Sequence, residues 1–156
     1  MIRIGFSRDI HRIEENGRPF MIGGIEVPSI YGPVSHSDGD CLLHAIAEAF
    51  LGSLSLGDLG KLFPDTSKET ENMDSKIILK ECYKLVLTKG YKLVNLDACV
   101  ILDKPHLQRY LPEIRASIAK ILDTDIENVS IKPQTNENIG EIRNIECMCS
   151  LLISND

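Results

Sequence analysis

Two short segments near the start of the chain contain side chains that commonly bind metal ions. Asp9 and His11 are spaced i, i+2, and His44 follows a polar run over residues 36–40. Two imidazoles and one carboxylate suit Zn²⁺ with a fourth position left open, and Mn²⁺ or Co²⁺ could use the same ligands. Such groups are costly in an apolar core unless a metal or charged ligand pairs with them. The alternative, from spacing alone, is two unrelated surface histidines and a solvated aspartate.

The polar run before His44 also predicts an anion site. The helix that follows it offers unpaired N–H groups and the positive end of its dipole. A phosphate beside His36, Ser37 and the metal would be well held there. The alternative for His36 is an exposed loop histidine with no ligand.

The elements that must position these residues form one α+β domain over residues 1–156, a mixed sheet with helices packed on one face. Asp9 and His11 are expected just after the first strand, where alternate side chains point the same way. Ser37 or Asp38 can cap the helix that carries His44. The hydrophobic pattern predicts strands at 2–6, 91–102, 129–131 and 145–153, a hairpin at 19–27, and helices at 40–51, 74–90 and 112–122.

Two segments are predicted to be loops, 28–39 and 52–73. The second is unusually long for a compact domain, which favours a functional element over slack chain. We expect its later part, 61–73, to be a mobile flap that closes over the substrate.

Composition limits the function classes. The chain has 156 residues, 43% hydrophobic and 26% charged, as is ordinary for a globular protein. It has no run of ~20 apolar residues and no signal-peptide pattern, so we expect a cytoplasmic protein with no membrane partner, or a plastid-type stromal one if a transit peptide was removed. A net charge of −6 argues against nucleic acid, although not against a small phosphorylated substrate. The five cysteines contain no Cys-x-x-Cys pair and are expected to be small packed side chains.

Three motifs together resemble one enzyme family. Asp9-x-His11, the 36–40 run with His44, and residues 56–66 look like the 2-C-methyl-D-erythritol 2,4-cyclodiphosphate synthases of the non-mevalonate isoprenoid pathway. The resemblance covers nearly the whole chain. It continues through residues 90–91, 95–97, 104–105 and 129–132, then Thr135, Glu137 and Gly140.

The resemblance implies a zinc-dependent phosphorus–oxygen lyase that assembles as a homotrimer with active sites between neighbours. The substrate would be 4-diphosphocytidyl-2-C-methyl-D-erythritol 2-phosphate, whose 2-phosphate attacks its own β-phosphorus and expels CMP. By the same resemblance, Asp9, His11 and His44 would bind Zn²⁺, and Glu137 a Mg²⁺ (or Mn²⁺) on the substrate phosphates. His36 and Thr135 would be the catalytic residues that stabilise the transition state.

The resemblance also implies a substrate pocket in two parts. Asp58, Gly60 and Asp65 would face the methylerythritol, and segments 102–108 and 133–137 would frame the cytidine. The full set of implied substrate-binding residues is Ser37, Asp58, Gly60, Phe63, Asp65, Leu102, Lys104, Pro105, His106, Leu107, Gln108, Pro133, Gln134, Glu137 and Arg143.

The chain departs from the family pattern in two places. His106 replaces a lysine and Pro133-Gln134 replace Ala-Thr, which changes the expected shape of the cytidine pocket. Arg8 and Glu141 stand where the family has aromatic residues, and Met148 stands where it has a glutamate that would pair with Arg143. In the family these positions line a threefold cavity that can hold an isoprenoid diphosphate. We expect alternating Arg8–Glu141 pairs to narrow that cavity.

Two other functions fit parts of the sequence. A metal-dependent phosphohydrolase could use the same ligands, and only its linear product would distinguish it from the cyclase. A non-catalytic, metal-bound interaction module is the third possibility. The presence of His36, Thr135, Glu137 and the 56–66 motif argues against it, because a binding module has no use for them.

Overall fold

A long first strand forms the base of the predicted metal site. The computed structural model describes residues 1–64, 71–137, 139–140 and 143–156. The strands are β1 (Ile2–Glu15), β2 (Met21–Ile22), β3 (Ile25–Glu26), β4 (Tyr31–Pro33), β5 (Lys92–Ile101), β6 (Val129–Gln134) and β7 (Asn144–Ser154). The helices are α1 (Cys41–Ser53), α2 (Leu59–Leu62), α3 (Ser75–Thr88) and α4 (Leu111–Leu122), with 3-10 turns at Gln108–Tyr110 and Ile126–Asn128.

Five of the strands form one mixed sheet in the order β4-β1-β7-β5-β6. β5 and β6 are parallel, and the other pairs are antiparallel. β1 and β7 pair from Ile2↔Ser154 to Arg12↔Asn144, which sets Asp9 opposite Cys147. The α+β class and the mixed sheet predicted from the sequence are confirmed.

The two faces of the sheet differ sharply. Side chains on β1 alternate, so that Gly5, Ser7 and Ile13 are buried under the helices. On the opposite face, Ile4 and Phe6 keep 69% and 63% of their surface exposed in the single chain. The helices therefore cover one face only, and a large apolar strip remains on the other.

Helix α1 lies very close to β1. A Cβ added to Gly5 would come within 1.9 Å of the Ala49 carbonyl oxygen, so only glycine permits this approach. The Ser7 hydroxyl donates a hydrogen bond to the Ala45 carbonyl at 2.5 Å. Because α1 is nearly all buried, this packing is the centre of the core and fixes the helix above Asp9 and His11.

The start of α1 differs from the prediction. Its cap is Asp40, not Ser37 or Asp38, because the buried Asp40 carboxylate accepts hydrogen bonds from the N–H groups of Leu43, Gly23 and Gly24. Burial raises the pKa of this carboxyl group, and the three N–H donors oppose that shift. Asp40 therefore joins the β2–β3 hairpin to the helix that carries His44.

Three further local predictions were wrong. Asp9 and His11 lie within β1 rather than after it, because pairing with β7 and then β4 extends the strand to Glu15. The predicted 28–39 loop contains β4, and the predicted 52–73 loop contains α2. The predicted hairpin, the other helices and the other strands are confirmed. Residues 65–70 of the predicted flap lie outside the described part of the chain.

The cysteines are packed as expected, with Cys41, Cys82, Cys147 and Cys149 buried and Cys99 half-buried. Burial raises the pKa of Cys149 to about 12, which keeps that thiol protonated. Among the described residues, no helix has the length and apolar character needed to cross a membrane.

Candidate active site

The three predicted metal ligands meet in one place. Asp9 Oδ2 lies 3.1 Å from His11 Nε2 and 3.4 Å from His44 Nδ1. The candidate ligand atoms all lie within 4.8 Å of one another, and the two imidazoles are edge to face with centroids 5.3 Å apart. β1 provides Asp9 and His11 on its helix-facing side, and the fourth residue of α1 provides His44.

The donor chemistry of this group fits a cation. His11 Nδ1 lies 3.0 Å from the Gly39 carbonyl oxygen, which can only accept, so Nδ1 carries the proton and Nε2 presents its lone pair to Asp9. Asp9 Oδ2 is buried and has no hydrogen-bond partner among the described residues. A buried carboxylate oxygen facing imidazole nitrogens is costly without a positive charge, and a divalent ion would satisfy all three groups.

Charge within the group points the same way. Burial alone would raise the pKa of Asp9, but contacts with His11 and His44 outweigh it and hold that pKa well below its usual range. Burial would likewise lower the pKa of His11, yet the adjacent Asp9 carboxylate raises it overall. The Asp9 carboxylate therefore favours a positive charge beside it, and a divalent ion bound to these three side chains would supply that charge.

Asp9, His11 and His44, which we call the metal group, open onto a cavity of about 410 Å³. Its walls bring together part of the predicted set, namely His36, Ser37, Gly60 and Phe63, around Asp9, His11 and His44. Asp58 is adjacent, and its carboxylate caps α2 by accepting from Lys61 N–H at 3.1 Å. Asp65 lies outside the described residues.

Glu48 is a cavity residue that the sequence analysis missed. It lies one turn after His44 on α1, and its carboxylate accepts a long hydrogen bond of 3.4 Å from Leu59 N–H at the start of α2. The i, i+4 spacing from His44 was the available signal, because such residues share a helix face.

A second predicted group assembles elsewhere on the chain. A separate cavity of about 160 Å³ is lined by Leu102, His106, Leu107, Gln108, Pro133, Gln134 and Thr135. The Lys104–Pro105 bond beside it is cis. Glu137 has a positive φ of 54°, and its N–H donates to Thr135 Oγ1 at 3.3 Å. Lys104 and Arg143 line a third cavity of about 240 Å³ with Asp103.

The two groups lie on different parts of the sheet. β6 is three strand positions from β1 in the sheet order, which corresponds to about 14 Å at the usual strand spacing. Thr135 and Glu137 therefore do not line the cavity of the metal group within one chain. A single chain presents the predicted site as two separate halves.

The outer face of β1 carries a charged pair. Arg8 forms an ion pair with Glu146 at 2.5 Å. The expected Arg8–Glu141 pair stays a prediction, because Glu141 lies outside the described residues. Glu146 is opposite Ile10 in the register, so it is the diagonal neighbour of Arg8 on the same face. Met148 lies directly opposite Arg8.

Comparison with known proteins agrees with this geometry. Residues 2–154 match the model of the YgbB family. The chain is 49% identical over 140 residues to the 2-C-methyl-D-erythritol 2,4-cyclodiphosphate synthase of Carboxydothermus hydrogenoformans, covering 90% of this chain and 85% of that protein.

Solved structures agree as well. A structure of a 2C-methyl-D-erythritol-2,4-cyclodiphosphate synthase superposes with a TM-score of 0.92 at 34% identity, covering 97% of this chain and 100% of the other. A CDP-bound structure of the same kind of enzyme also gives 0.92, at 32% identity and the same coverage. The fold, the metal group and these relatives together establish that the chain belongs to the YgbB family.

Proposed function

We propose that the protein acts as a 2-C-methyl-D-erythritol 2,4-cyclodiphosphate synthase. It would convert 4-diphosphocytidyl-2-C-methyl-D-erythritol 2-phosphate to the 2,4-cyclodiphosphate with release of CMP. The observation that carries the proposal is the Asp9, His11 and His44 group opening onto a cavity lined by both long family motifs. A relative with this activity in its name, 49% identical over 140 residues, supports it.

The reaction needs no protein nucleophile. An oxygen of the 2-phosphate attacks the β-phosphorus, the bond from that phosphorus to the α,β-bridging oxygen breaks, and CMP leaves with the bond electrons. The protein must hold the substrate in a folded conformation that brings the 2-phosphate to the β-phosphorus, and it must neutralise the charge of the phosphates. The cavity beside Ser37, Gly60 and Phe63 is suited to hold the methylerythritol part in that folded form.

The positive charge that neutralises the substrate phosphates would come from bound metal ions as well as from side chains, because the chain itself is acidic. Asp9, His11 and His44 would hold Zn²⁺, and Mn²⁺ or Co²⁺ suit the same donors. Such an ion, when bound, polarises the β-phosphate as a Lewis acid. Glu137 would hold Mg²⁺ or Mn²⁺ together with the substrate phosphates.

The remaining residues have positioning and donor roles. His36 in the metal cavity and Thr135 in the second cavity would donate to the phosphates as charge develops. The pocket of Leu102, His106, Leu107, Gln108, Pro133 and Gln134, with Lys104, Pro105 and Arg143 nearby, would take the cytidine end. The CDP-bound relative supports a cytidine nucleotide as the ligand class.

A homotrimer would join the two halves. Within one chain they belong to β1 and β6, which are three strand positions or about 14 Å apart in the sheet. The exposed strip of Ile2, Ile4 and Phe6 is apolar enough to be an interface, and a neighbour covering it could bring its second cavity toward the metal group. We propose this assembly in the cytoplasm as a single-domain enzyme, with no nucleic-acid or membrane partner.

Product analysis tests the proposal. Purified protein is incubated with the diphosphocytidyl substrate, Zn²⁺ and Mg²⁺, and followed by ³¹P NMR. The expected result is a cyclic diphosphate together with CMP in equal amounts. A linear phosphate product would indicate a phosphohydrolase, and complete absence of turnover with metal bound would indicate a non-catalytic module.

A further inference from the structure

His44 has a second set of contacts on the side away from Asp9. Its Nε2 lies 2.7 Å from the Ser75 hydroxyl and 3.3 Å from the Ser37 hydroxyl. Ser75 is the first residue of α3 and is completely buried. The shorter distance makes Ser75 the main partner of this imidazole nitrogen.

Ser75 is in turn held by Asp38. The Ser75 hydroxyl makes a very short hydrogen bond to Asp38 Oδ1, and the Ser75 N–H donates to Asp38 Oδ2 at 3.0 Å. Asp40 N–H donates to Asp38 Oδ1 at 3.1 Å, and Asp38 N–H donates to the Met73 carbonyl at 3.2 Å. The carboxylate therefore accepts three hydrogen bonds, and a fourth holds the backbone of Asp38.

The direction of each hydrogen bond follows from the donors available. An ionised carboxylate can only accept, so the single hydroxyl proton of Ser75 points to Asp38. The Ser75 oxygen can then only accept from His44, and Nε2 must carry the imidazole proton. His44 Nδ1 is left with its lone pair directed at Asp9.

We propose that Asp38 and Ser75 form a relay that fixes the tautomer of His44, and so sets the metal affinity of the site. Both are positioning residues, because neither touches the ion or the substrate cavity. The inference rests on the metal site of the proposed function. It goes beyond that function because it assigns a task to two residues outside the ligand set.

The relay also joins distant parts of the chain. Ser75 is 31 positions from His44, and the two meet because α3 packs against α1. Asn72 N–H donates to the His36 carbonyl at 2.9 Å, so the residues just before α3 are tied to the same polar loop. The start of α3 and the metal ligand are thus one connected unit.

The first test measures metal affinity. Zn²⁺ affinity of Ser75→Ala is determined by competition with a chromophoric chelator. We expect it to fall by about 10–100-fold, the usual effect of removing an outer partner of a ligand. Ser53→Ala is the matched control, because Ser53 is also buried and donates from its hydroxyl to Phe50 O at 2.7 Å, within α1 but outside the site.

The second test reverses the relay. In Asp38→Asn, each orientation of the amide sets its NH₂ against a backbone N–H, of Asp40 or of Ser75, so the Ser75 hydroxyl loses its fixed ionised acceptor and its proton can turn to His44 Nε2. This would place the imidazole proton on Nδ1, so a nearly isosteric change should weaken Zn²⁺ binding at least as much as Ser75→Ala. The tautomer is read from long-range ¹H–¹⁵N NMR of the metal-free protein, which is practical because the chain has only four histidines.

The outcomes separate the relay from the proposed function. Thermal unfolding of each variant shows that it is folded. Zn²⁺ affinities of Ser75→Ala and Asp38→Asn equal to that of Ser53→Ala, or an Nδ1–H tautomer in the unsubstituted protein, would overturn the relay. Failure of the unsubstituted protein to bind Zn²⁺ would instead count against the proposed metal site itself.

Discussion

Ser7 and Ala45 are joined by a 2.5 Å hydrogen bond in which a strand hydroxyl donates to a helical carbonyl. Ala45 immediately follows His44, and Ser7 is two positions before Asp9. The bond therefore sets the separation between the two elements that carry the proposed metal ligands.

Replacing His44 with alanine should abolish metal binding while the fold persists. The change removes one of three ligands and leaves Asp9 and His11 as an incomplete pair. Metal content after dialysis and circular dichroism measure the two effects. A protein that retains full metal content without His44 would refute the assignment of the triad.

Gly5→Ala should destabilise the protein strongly. The new methyl would lie 1.9 Å from a backbone oxygen of α1, which cannot rotate away. Overpacking typically costs about 1–3 kcal/mol, and a contact with backbone should reach the upper end of that range. The melting temperature and the chelator-measured Zn²⁺ affinity should both fall.

Gly52→Ala is the control for this prediction. Gly52 is also in α1, but its added Cβ would be 3.8 Å from the nearest atom. Replacing a helical glycine with alanine usually stabilises by about 0.5–1 kcal/mol. Equal effects of the two substitutions would contradict the close packing of α1 on β1.

Metal affinity should fall as the pH is lowered. Burial lowers the pKa of His11, but Asp9 raises it overall above the ordinary value of 6.5. The proton on His11 must leave before a metal binds, so binding releases a proton and affinity rises with pH until that pKa is passed. Zn²⁺ titrations across a pH series should show the decline beginning above pH 6.5. A Zn²⁺ affinity that stays constant as the pH falls toward 6.5 would contradict the raised pKa of His11.

Ile4→Asp should dissociate the proposed trimer and reduce activity. Ile4 is 69% exposed in the single chain, in the middle of the apolar strip of β1. A buried, unpaired carboxylate at an interface is costly. Analytical ultracentrifugation measures the change in mass.

Ile77→Asp is the control for Ile4→Asp, because Ile77 is 51% exposed on α3, away from the sheet face. It should leave the mass of the assembly unchanged. A trimer that survives Ile4→Asp, or an unsubstituted protein that is monomeric, would refute the proposed interface.

We expect no tight binding of geranyl diphosphate to the outer face of the sheet. The Arg8–Glu146 ion pair puts charge on this face between Phe6 and Ile10, at the end of the apolar strip. A prenyl chain gains about 0.8 kcal/mol per CH₂ only where it is buried among apolar groups. Isothermal titration calorimetry checks this, and tight binding of one ligand per trimer would show that an apolar cavity persists.

The sequence predicted the parts of the structure that depend on local pattern. The buried stripe of α1 and the Asp9-x-His11 spacing are short-range signals, and they predicted the observed helix and the shared direction of the Asp9 and His11 side chains. β4 was missed because three residues with a glycine and a proline have no strand pattern of their own, and pairing with the end of β1 creates the strand. Ser75 was missed as a partner of His44 because only the packing of α3 on α1 brings them together.

The pairing of β1 with β7 links the proposed metal site to correct folding. A slip of one residue in that register would turn Asp9 and His11 to the outer face and Arg8 and Ile10 into the core. The paired residues are more than 130 positions apart, so their alignment is a long-range contact whose loop-closure cost slows folding. A metal ion that binds only the in-register state stabilises that state by mass action. Metal supply during synthesis would then influence the yield of correctly paired protein as well as its later activity.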